Sequence, residues 1–126
     1  PLLLGVIHCP APSKKNRYHV VESNVELILQ HDFDGVFFIN HAYSATSLVP
    51  VIRKIHAKYP SLWMGANFMG LPDGEIFKFV KKEKLHRILQ GVWCENSGIF
   101  LDKEELEHIF IHSFMSKDKK EQRRSV

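Results

Sequence analysis

The sequence predicts an α/β fold built on a parallel sheet. Four short apolar runs recur about every thirty residues, and each run ends in a polar side chain. The stretches between the runs carry apolar residues at helical spacing, and no hairpin signal joins any two runs. Strands and helices that alternate in this way form βα units with right-handed crossovers. The polar residues at the four ends are His8, Asn40, Asn67 and Asn96.

The first two strands and the first helix follow from local patterns. Residues 2–8 form an apolar run that predicts a buried strand, and a proline-containing loop follows it. Residues 18–31 predict an amphipathic helix, because apolar side chains recur there at every third or fourth position. A turn then leads into a second strand at residues 36–39 and a short polar loop at residues 40–46.

The middle of the chain repeats the same order. Ser47 is expected to cap the second helix, with Pro50 tolerated in its first turn and Pro60 ending it. Residues 62–68 predict the third strand, in which small residues permit close packing. A third helix is expected from about residue 73 to residue 84.

The last predicted unit is a strand at residues 92–94, a polar loop at residues 95–98 and a helix that begins near Asp102. Four such units form either half of an eight-fold barrel or a small doubly wound sheet, because both folds share this local pattern. The last helix is expected to turn four apolar residues inward: Leu106, Ile109, Phe110 and Phe114.

Composition narrows the class of protein. The 44% apolar and 25% charged content is that of an ordinary globular protein, and no apolar stretch is long enough to span a membrane. The two cysteines, Cys9 and Cys94, predict an intracellular, cytoplasmic protein with unpaired buried thiols, although an organelle stays open. The net charge of +3 is concentrated in residues 116–126, which we expect to be a disordered basic tail. Without interleaved aromatic residues, this tail predicts no nucleic-acid partner.

Short motifs at the strand ends are similar to those of one protein family. Residues 5–12 read GVIHCPAP, similar to a glycine-hydrophobic-His-x-Pro-x-Pro start. Residues 34–40 read DGVFFIN, similar to the family's second strand, although Ile39 stands where Glu is usual. Residues 64–67 read MGAN, similar to the third strand, and residues 93–96 fall where a further strand end belongs. On these motifs the chain resembles the BtpA family, predicted TIM-barrel proteins first linked to photosystem I accumulation.

The resemblance covers roughly residues 2–100, the first half of a family member. It implies that residues 1–115 are the N-terminal half of a TIM (βα)8 barrel, with the other half outside this chain. It also implies a metabolic enzyme, or an assembly factor derived from one, that acts on a small polar substrate at the strand carboxyl ends. The phosphate site common in such barrels follows strands seven and eight, so the resemblance assigns no phosphate binding here. The opposing hypothesis is a non-catalytic half barrel that forms a homo-oligomer through its exposed sheet edges.

The candidate catalytic groups are His8 and Glu95. Histidine exchanges protons near neutral pH, and Glu95 is the one carboxylate at a predicted strand end. Asn40, Asn67 and Asn96 are expected to bind the substrate by orienting a carbonyl or hydroxyl group. The alternatives are a structural histidine, amides that shape turns and a solvated loop carboxylate.

No metal site or cofactor is predicted. His8, His41 and Glu95 would suit zinc or iron, but no spacing in the sequence fixes the distances between them. His108 and His112 stand four residues apart, but the glutamate of the metalloprotease pattern is missing after the first, so an exposed helical pair is expected. The dinucleotide, P-loop and serine-hydrolase motifs are also missing from the sequence, and the cofactor is therefore left unknown.

Overall fold

The computed structural model of the chain describes residues 2–41 and 43–94, and the backbone of residues 110–113. The strands are β1 Leu4–His8, β2 Gly35–Ile39, β3 Trp63–Asn67, β4 Gly91–Cys94 and β5 Phe110–Ser113. The helices are α1 Arg17–Gln30, α2 Leu48–Lys58 and α3 Asp73–Lys82, and short 3-10 turns occupy Ala45–Ser47 and Leu85–Arg87. In the described part of the chain, none of the helices has the length and apolar character needed to cross a bilayer.

The five strands lie side by side in chain order, and each neighbouring pair is parallel. The predicted α/β fold with a parallel sheet is therefore confirmed. Right-handed crossovers that always step in the same direction place their helices on one face of the sheet. A doubly wound sheet instead reverses its strand order at a switch point, and the described strands contain no such reversal. Closure of the sheet into a barrel stays a prediction.

One face of the sheet packs against all three helices. Strand side chains alternate between the two faces, and every second residue of β1 to β4 is buried in a single apolar cluster with the helices. Removing a fully buried aliphatic side chain from such a core costs about 2–5 kcal/mol. The strand members of this cluster are Ile7, Val36, Phe38, Met64, Ala66, Val92 and Cys94, and the helix members include Val21, Val25, Ile52, Ile55, Ile76 and Val80.

The opposite face carries no helix in the described ranges, and we call it the open face. Val6 is 58% exposed there, although parallel sheets are normally covered on both sides. Phe37 fills the middle of this face, with its ring centroid 6.3 Å from those of both Trp63 and Trp93. Gly65 lies under the Phe37 ring, where a Cβ would approach a ring carbon to 2.3 Å. The open face is therefore apolar and built around large side chains.

The last predicted helix is wrong at residues 110–113, which form a strand. β5 pairs with β4 in parallel register, from Gly91 opposite Phe110 to Cys94 opposite Ser113. A short run of β-branched and aromatic residues suits either a buried helix or a strand, and the ladder with β4 decides between them. His112 therefore does not share a helical face with His108. The remainder of the predicted helix and the basic tail lie outside the described residues.

α2 begins where predicted, but without the expected side-chain cap from Ser47. The Ser47 hydroxyl instead donates to the Ser44 carbonyl at 2.6 Å. The Ser44 hydroxyl accepts from the Thr46 N–H at 3.3 Å, which caps the 3-10 turn that precedes α2. A serine one turn earlier in the chain thus takes the capping role.

The packing of Phe37 over Gly65 predicts a stability effect. Gly65→Ala should lower the free energy of unfolding by about 1–3 kcal/mol, because the added Cβ would push the Phe37 ring from its place between two tryptophans. Urea denaturation measures the change. In a Phe37→Leu background the same substitution should cost much less, because the clashing ring is gone. Equal losses in both backgrounds would show that the ring contact is not the cause.

Candidate functional site

The carboxyl edge of the sheet brings two histidines together. His8 ends β1 on the open face, and His41 lies two residues beyond the end of β2. His8 Nδ1 lies 2.5 Å from His41 Nε2, while the two ring centroids are 4.7 Å apart and the ring planes differ by 12°. Because the nitrogens lie between the centroids, the rings meet edge to edge rather than stacked face to face. One ring therefore donates its N–H to the ring nitrogen of the other.

The gap between the two nitrogens accommodates a proton rather than a metal ion. A zinc ion with bonds of about 2.0–2.1 Å to each nitrogen, at a tetrahedral angle, would hold the two nitrogens farther apart than the 2.5 Å found here. Among the described residues, no group of three or more histidine, cysteine or acidic side chains is placed to hold a metal. His8 and His41 are both exposed, and the hydrogen bond between them uses Nδ1 of His8 rather than Nε2. A hydrogen bond to one nitrogen fixes which tautomer the other nitrogen presents.

Asn40, predicted to bind substrate, is instead fully occupied by the protein backbone. Its side chain is 0% exposed. Its amide nitrogen donates to the Tyr43 and Met69 carbonyls at 2.8 and 2.9 Å, and its oxygen accepts from the Met69 N–H at 2.8 Å. Both amide hydrogens are thus used, and neither is left for a ligand. Asn40 joins the loop after β2 to the loop after β3.

Arg17 and Tyr43 join the loop after β1 to the loop after β2. The Arg17 guanidinium donates to the Pro10 carbonyl at 2.7 Å and to the Ser47 hydroxyl at 3.4 Å. It also lies 5.5 Å from the centre of the Tyr43 ring, whose hydroxyl donates to the Cys9 carbonyl. Together with Asn40, these contacts connect three consecutive loops along the edge that carries the two histidines.

Asn67, also predicted to bind substrate, lies at the same edge and lines a half-open cleft of about 310 Å³. In the register of the sheet it stands level with His8, with Ile39 between them, so the two are about 10 Å apart at ordinary strand spacing. Asp73 and Trp93 line the same cleft. The cleft and the histidine pair are thus neighbouring parts of one edge rather than a single pocket.

The other two predicted site residues, Glu95 and Asn96, lie outside the described residues.

Burial raises the pKa of the Cys9 thiol to about 11, against smaller opposing effects of the Arg17 guanidinium and a backbone hydrogen bond. Burial, reinforced by the Asp73 carboxylate, raises the pKa of the Cys94 thiol to about 12. Both free thiols therefore stay protonated at neutral pH and do not act as nucleophiles there.

Comparison with known proteins adds no assignment. No family model matches the chain, and neither the curated proteins nor the solved structures contain a match. The resemblance to the BtpA family, which rests on short motifs at the strand ends, therefore stays a prediction.

Sequence reasoning considers His41 only as a candidate metal ligand and does not predict its hydrogen bond to His8. His41 adjoins the strand end, but the sequence does not reveal toward which neighbour its ring points. The roles of Arg17 and Tyr43 were also missed, because their partners lie in loops that are distant in the chain. The sequence contains only a weak indication of these contacts. The proline-containing loop after β1 and the polar loop after β2 each follow a predicted strand end, and the loops of parallel sheets meet at that edge.

The hydrogen bonds of Asn40 predict that its loss is costly. Asn40→Ala should lower the free energy of unfolding by about 2–4 kcal/mol, because two carbonyls and one N–H lose their partner in a buried position. Thermal or urea unfolding measures the loss, and faster hydrogen exchange at the Met69 amide locates it.

A matched control is Asn16→Ala, since Asn16 is exposed and its side chain makes no capping hydrogen bond. This substitution should change stability by less than about 0.5 kcal/mol. If both variants lose equal stability, the joining role of Asn40 is wrong.

Proposed function

We propose that the carboxyl edge of this sheet binds a small polar substrate and that His8 exchanges a proton with it. The observation that carries the proposal is the His8–His41 hydrogen bond, made by two exposed imidazoles at the ends of adjacent parallel strands. This edge is where parallel α/β proteins carry their ligand sites. The chemistry requires an imidazole whose tautomer is held while its other nitrogen meets the substrate.

The roles divide between the residues as follows. His8 is the proton-transfer group, acting through Nε2, and His41 is a positioning residue that holds the His8 ring through Nδ1. Asn67 supplies an amide at the same level of the sheet, within reach of a substrate that extends about 10 Å along the edge. Asn40 keeps the loops in place and has no donor for the substrate. Glu95 remains the candidate carboxylate on sequence grounds alone.

The resemblance to the BtpA family supports a more specific form of this proposal. The chain would then be the first half of a TIM barrel in a metabolic enzyme, or in an assembly factor derived from one. The strand order and the uncovered open face are compatible with such a half barrel, because an eight-fold barrel also places its strands in chain order with the helices outside.

The proposal is tested by screening small polar compounds against the protein and following backbone amides and imidazole nitrogens by NMR. Signals from His8, His41 and Asn67 should shift together with a bound compound, and His8→Asn should remove the shift of the imidazole signals. For a substrate so identified, His8→Asn should lower turnover by about 100-fold or more, because general acid–base catalysis contributes at least that much. Unchanged turnover would remove His8 from the mechanism.

The positioning role of His41 has a separate readout. In the wild-type protein His8 should hold one ring tautomer, visible in a long-range proton–nitrogen spectrum. His41→Ala should return His8 to the tautomer mixture of a free imidazole. His19→Ala is the matched control, because His19 is an exposed histidine on α1. A mixed tautomer in the wild-type protein would contradict the pairing.

The open face supports a second candidate function, association with another copy of the chain. In the described residues β1 and β5 each pair on one side only, so both edges of the sheet have unpaired backbone groups. In two copies related by a twofold axis, β1 of each copy could pair with β5 of the other. All strands of the joined sheets would then be parallel. This arrangement would enclose both open faces, including the exposed Val6.

Association through the open face predicts a dimer that Val6→Lys separates into monomers, because a charge would enter the enclosed face. Light scattering coupled to size exclusion measures the mass, and circular dichroism checks the fold. Leu27→Lys is the matched control, since Leu27 is 53% exposed on α1, on the helical side of the sheet. A folded wild-type monomer at every accessible concentration, or equal dissociation by both variants, would contradict association through this face.

A further inference from the structure

We propose that the substrate carries a phosphate or carboxylate group and that this group binds at the β1–β2 end of the carboxyl edge. The inference rests on the proposed function and adds the chemical class of the substrate. It is carried by the charge distribution along the edge and by the contacts that hold the basic loop beside the histidine pair. We call Lys14, Lys15 and Arg17 the basic turn.

The basic turn lies in a part of the chain that has no negative side chain. Residues 2–21 contain no Asp or Glu, and neither do residues 35–72, so both loops at this end of the edge lack carboxylates. Lys14 and Lys15 are exposed, and neither forms an ion pair with a described residue. Unpaired cations beside two exposed imidazoles attract an anionic group and repel a cationic one.

The basic turn is held in place rather than free to move away from the histidines. The Lys14 N–H donates to the Ala11 carbonyl at 3.0 Å, and the Arg17 N–H donates to the Lys14 carbonyl at 3.1 Å. Arg17 in turn reaches the Pro10 carbonyl and the Ser47 hydroxyl, in the loops that follow β1 and β2. The turn is therefore anchored to the loop that follows β1 and, through the Arg17 side chain, to the loop that follows β2.

The first turn of α1 adds donors in the same place. Asn16 precedes the helix, and its side chain does not cap the N–H groups of that turn. The Arg17 N–H is used by the Lys14 carbonyl, and the N–H groups that follow it at the start of this 14-residue helix carry partial positive charge and favour an anion. The basic turn, the helix start and the histidine pair thus lie in one continuous stretch of the edge.

The middle of the edge, where the loop after β3 leads into α3, has the reverse character. α3 begins with two acidic residues in its first turn, Asp73 and Glu75, and Asp73 lines the cleft beside Asn67. These carboxylates neutralise the positive end of α3 and disfavour an anion there. An anionic substrate would therefore bind with its charged group at the β1–β2 end and its neutral part toward Asn67.

The test is an NMR titration of the protein with inorganic phosphate, with acetate as the carboxylate probe and glycerol as the neutral probe. Phosphate and acetate should shift amides of the basic turn together with those of His8 and His41, and glycerol should not. Lys14→Gln combined with Lys15→Gln should weaken phosphate binding about tenfold or more, because charge-assisted hydrogen bonds are lost. Higher sodium chloride should weaken binding in the wild-type protein as well.

The matched control is Lys81→Gln combined with Lys82→Gln. These lysines are also adjacent and exposed, but they end α3, at the amino edge of the sheet. Replacing them makes the same change in net charge. Phosphate binding should be unchanged in this variant. Equal weakening in both double variants would show a general charge effect and would overturn the site.

The outcomes separate this inference from the proposed function. Binding of neutral compounds at His8 without binding of phosphate or acetate would overturn the anionic substrate and leave the proton-transfer proposal standing. Vesicles of phosphatidylglycerol present the same charged group on a lipid surface, so binding to vesicles without binding of free phosphate would overturn a small-molecule substrate. If the wild-type protein shows a mixed His8 tautomer but phosphate still binds at the basic turn, the anion site stands. The histidine pair would then not be part of that site.

Discussion

The arrangement of the carboxyl edge depends on the buried amide of Asn40. This single, fully buried side chain satisfies two carbonyls and one N–H that belong to two different loops. Separating the two loops would leave the buried Asn40 amide without its partners. An unsatisfied buried polar group costs about 1–3 kcal/mol, and this cost holds the loops together. The position of His41 follows from it, because His41 is the next residue in the chain.

The direction of the strands gives the edge its functional character. All five described strands are parallel, so their carboxyl ends lie along one edge, and every loop that follows a strand begins there. In the described ranges the helices cover only the other face, which leaves His8 and Asn67 on the side that these helices do not occlude. The histidine pair and the cleft therefore lie side by side without interrupting the apolar core.

The β1–β2 end of this edge and its middle, after β3, differ in charge for a reason that is local in the chain. The loops after β1 and β2 contain lysine, arginine and histidine without carboxylates, whereas α3 starts with acidic residues that its own helix dipole stabilises. A ligand with one charged end would thus be bound in one direction. The buried thiols take no part in this asymmetry, because burial keeps both protonated.

Much of the fold could be predicted because the relevant patterns are short. α1 was expected at residues 18–31 and is found at Arg17–Gln30, since helical periodicity is visible within a few turns. The segment of β5 is predicted as part of a helix, because its short run of apolar residues is compatible with both periods and only pairing with β4 distinguishes them. The predicted cap of α2 by Ser47 is wrong for a similar reason, since several neighbouring hydroxyls can supply such a bond and Ser44 caps the turn before α2.

Local order in the chain was thus sufficient to predict a parallel sheet whose strand ends carry polar groups. It could not reveal which of those groups are free to meet a ligand. Asn40 and His8 are equivalent in the sequence, each a polar residue at the end of an apolar run, yet one is buried in backbone contacts and the other is exposed beside His41. The difference arises from hydrogen bonds between loops about thirty residues apart, and such partners meet only when the whole sheet has formed.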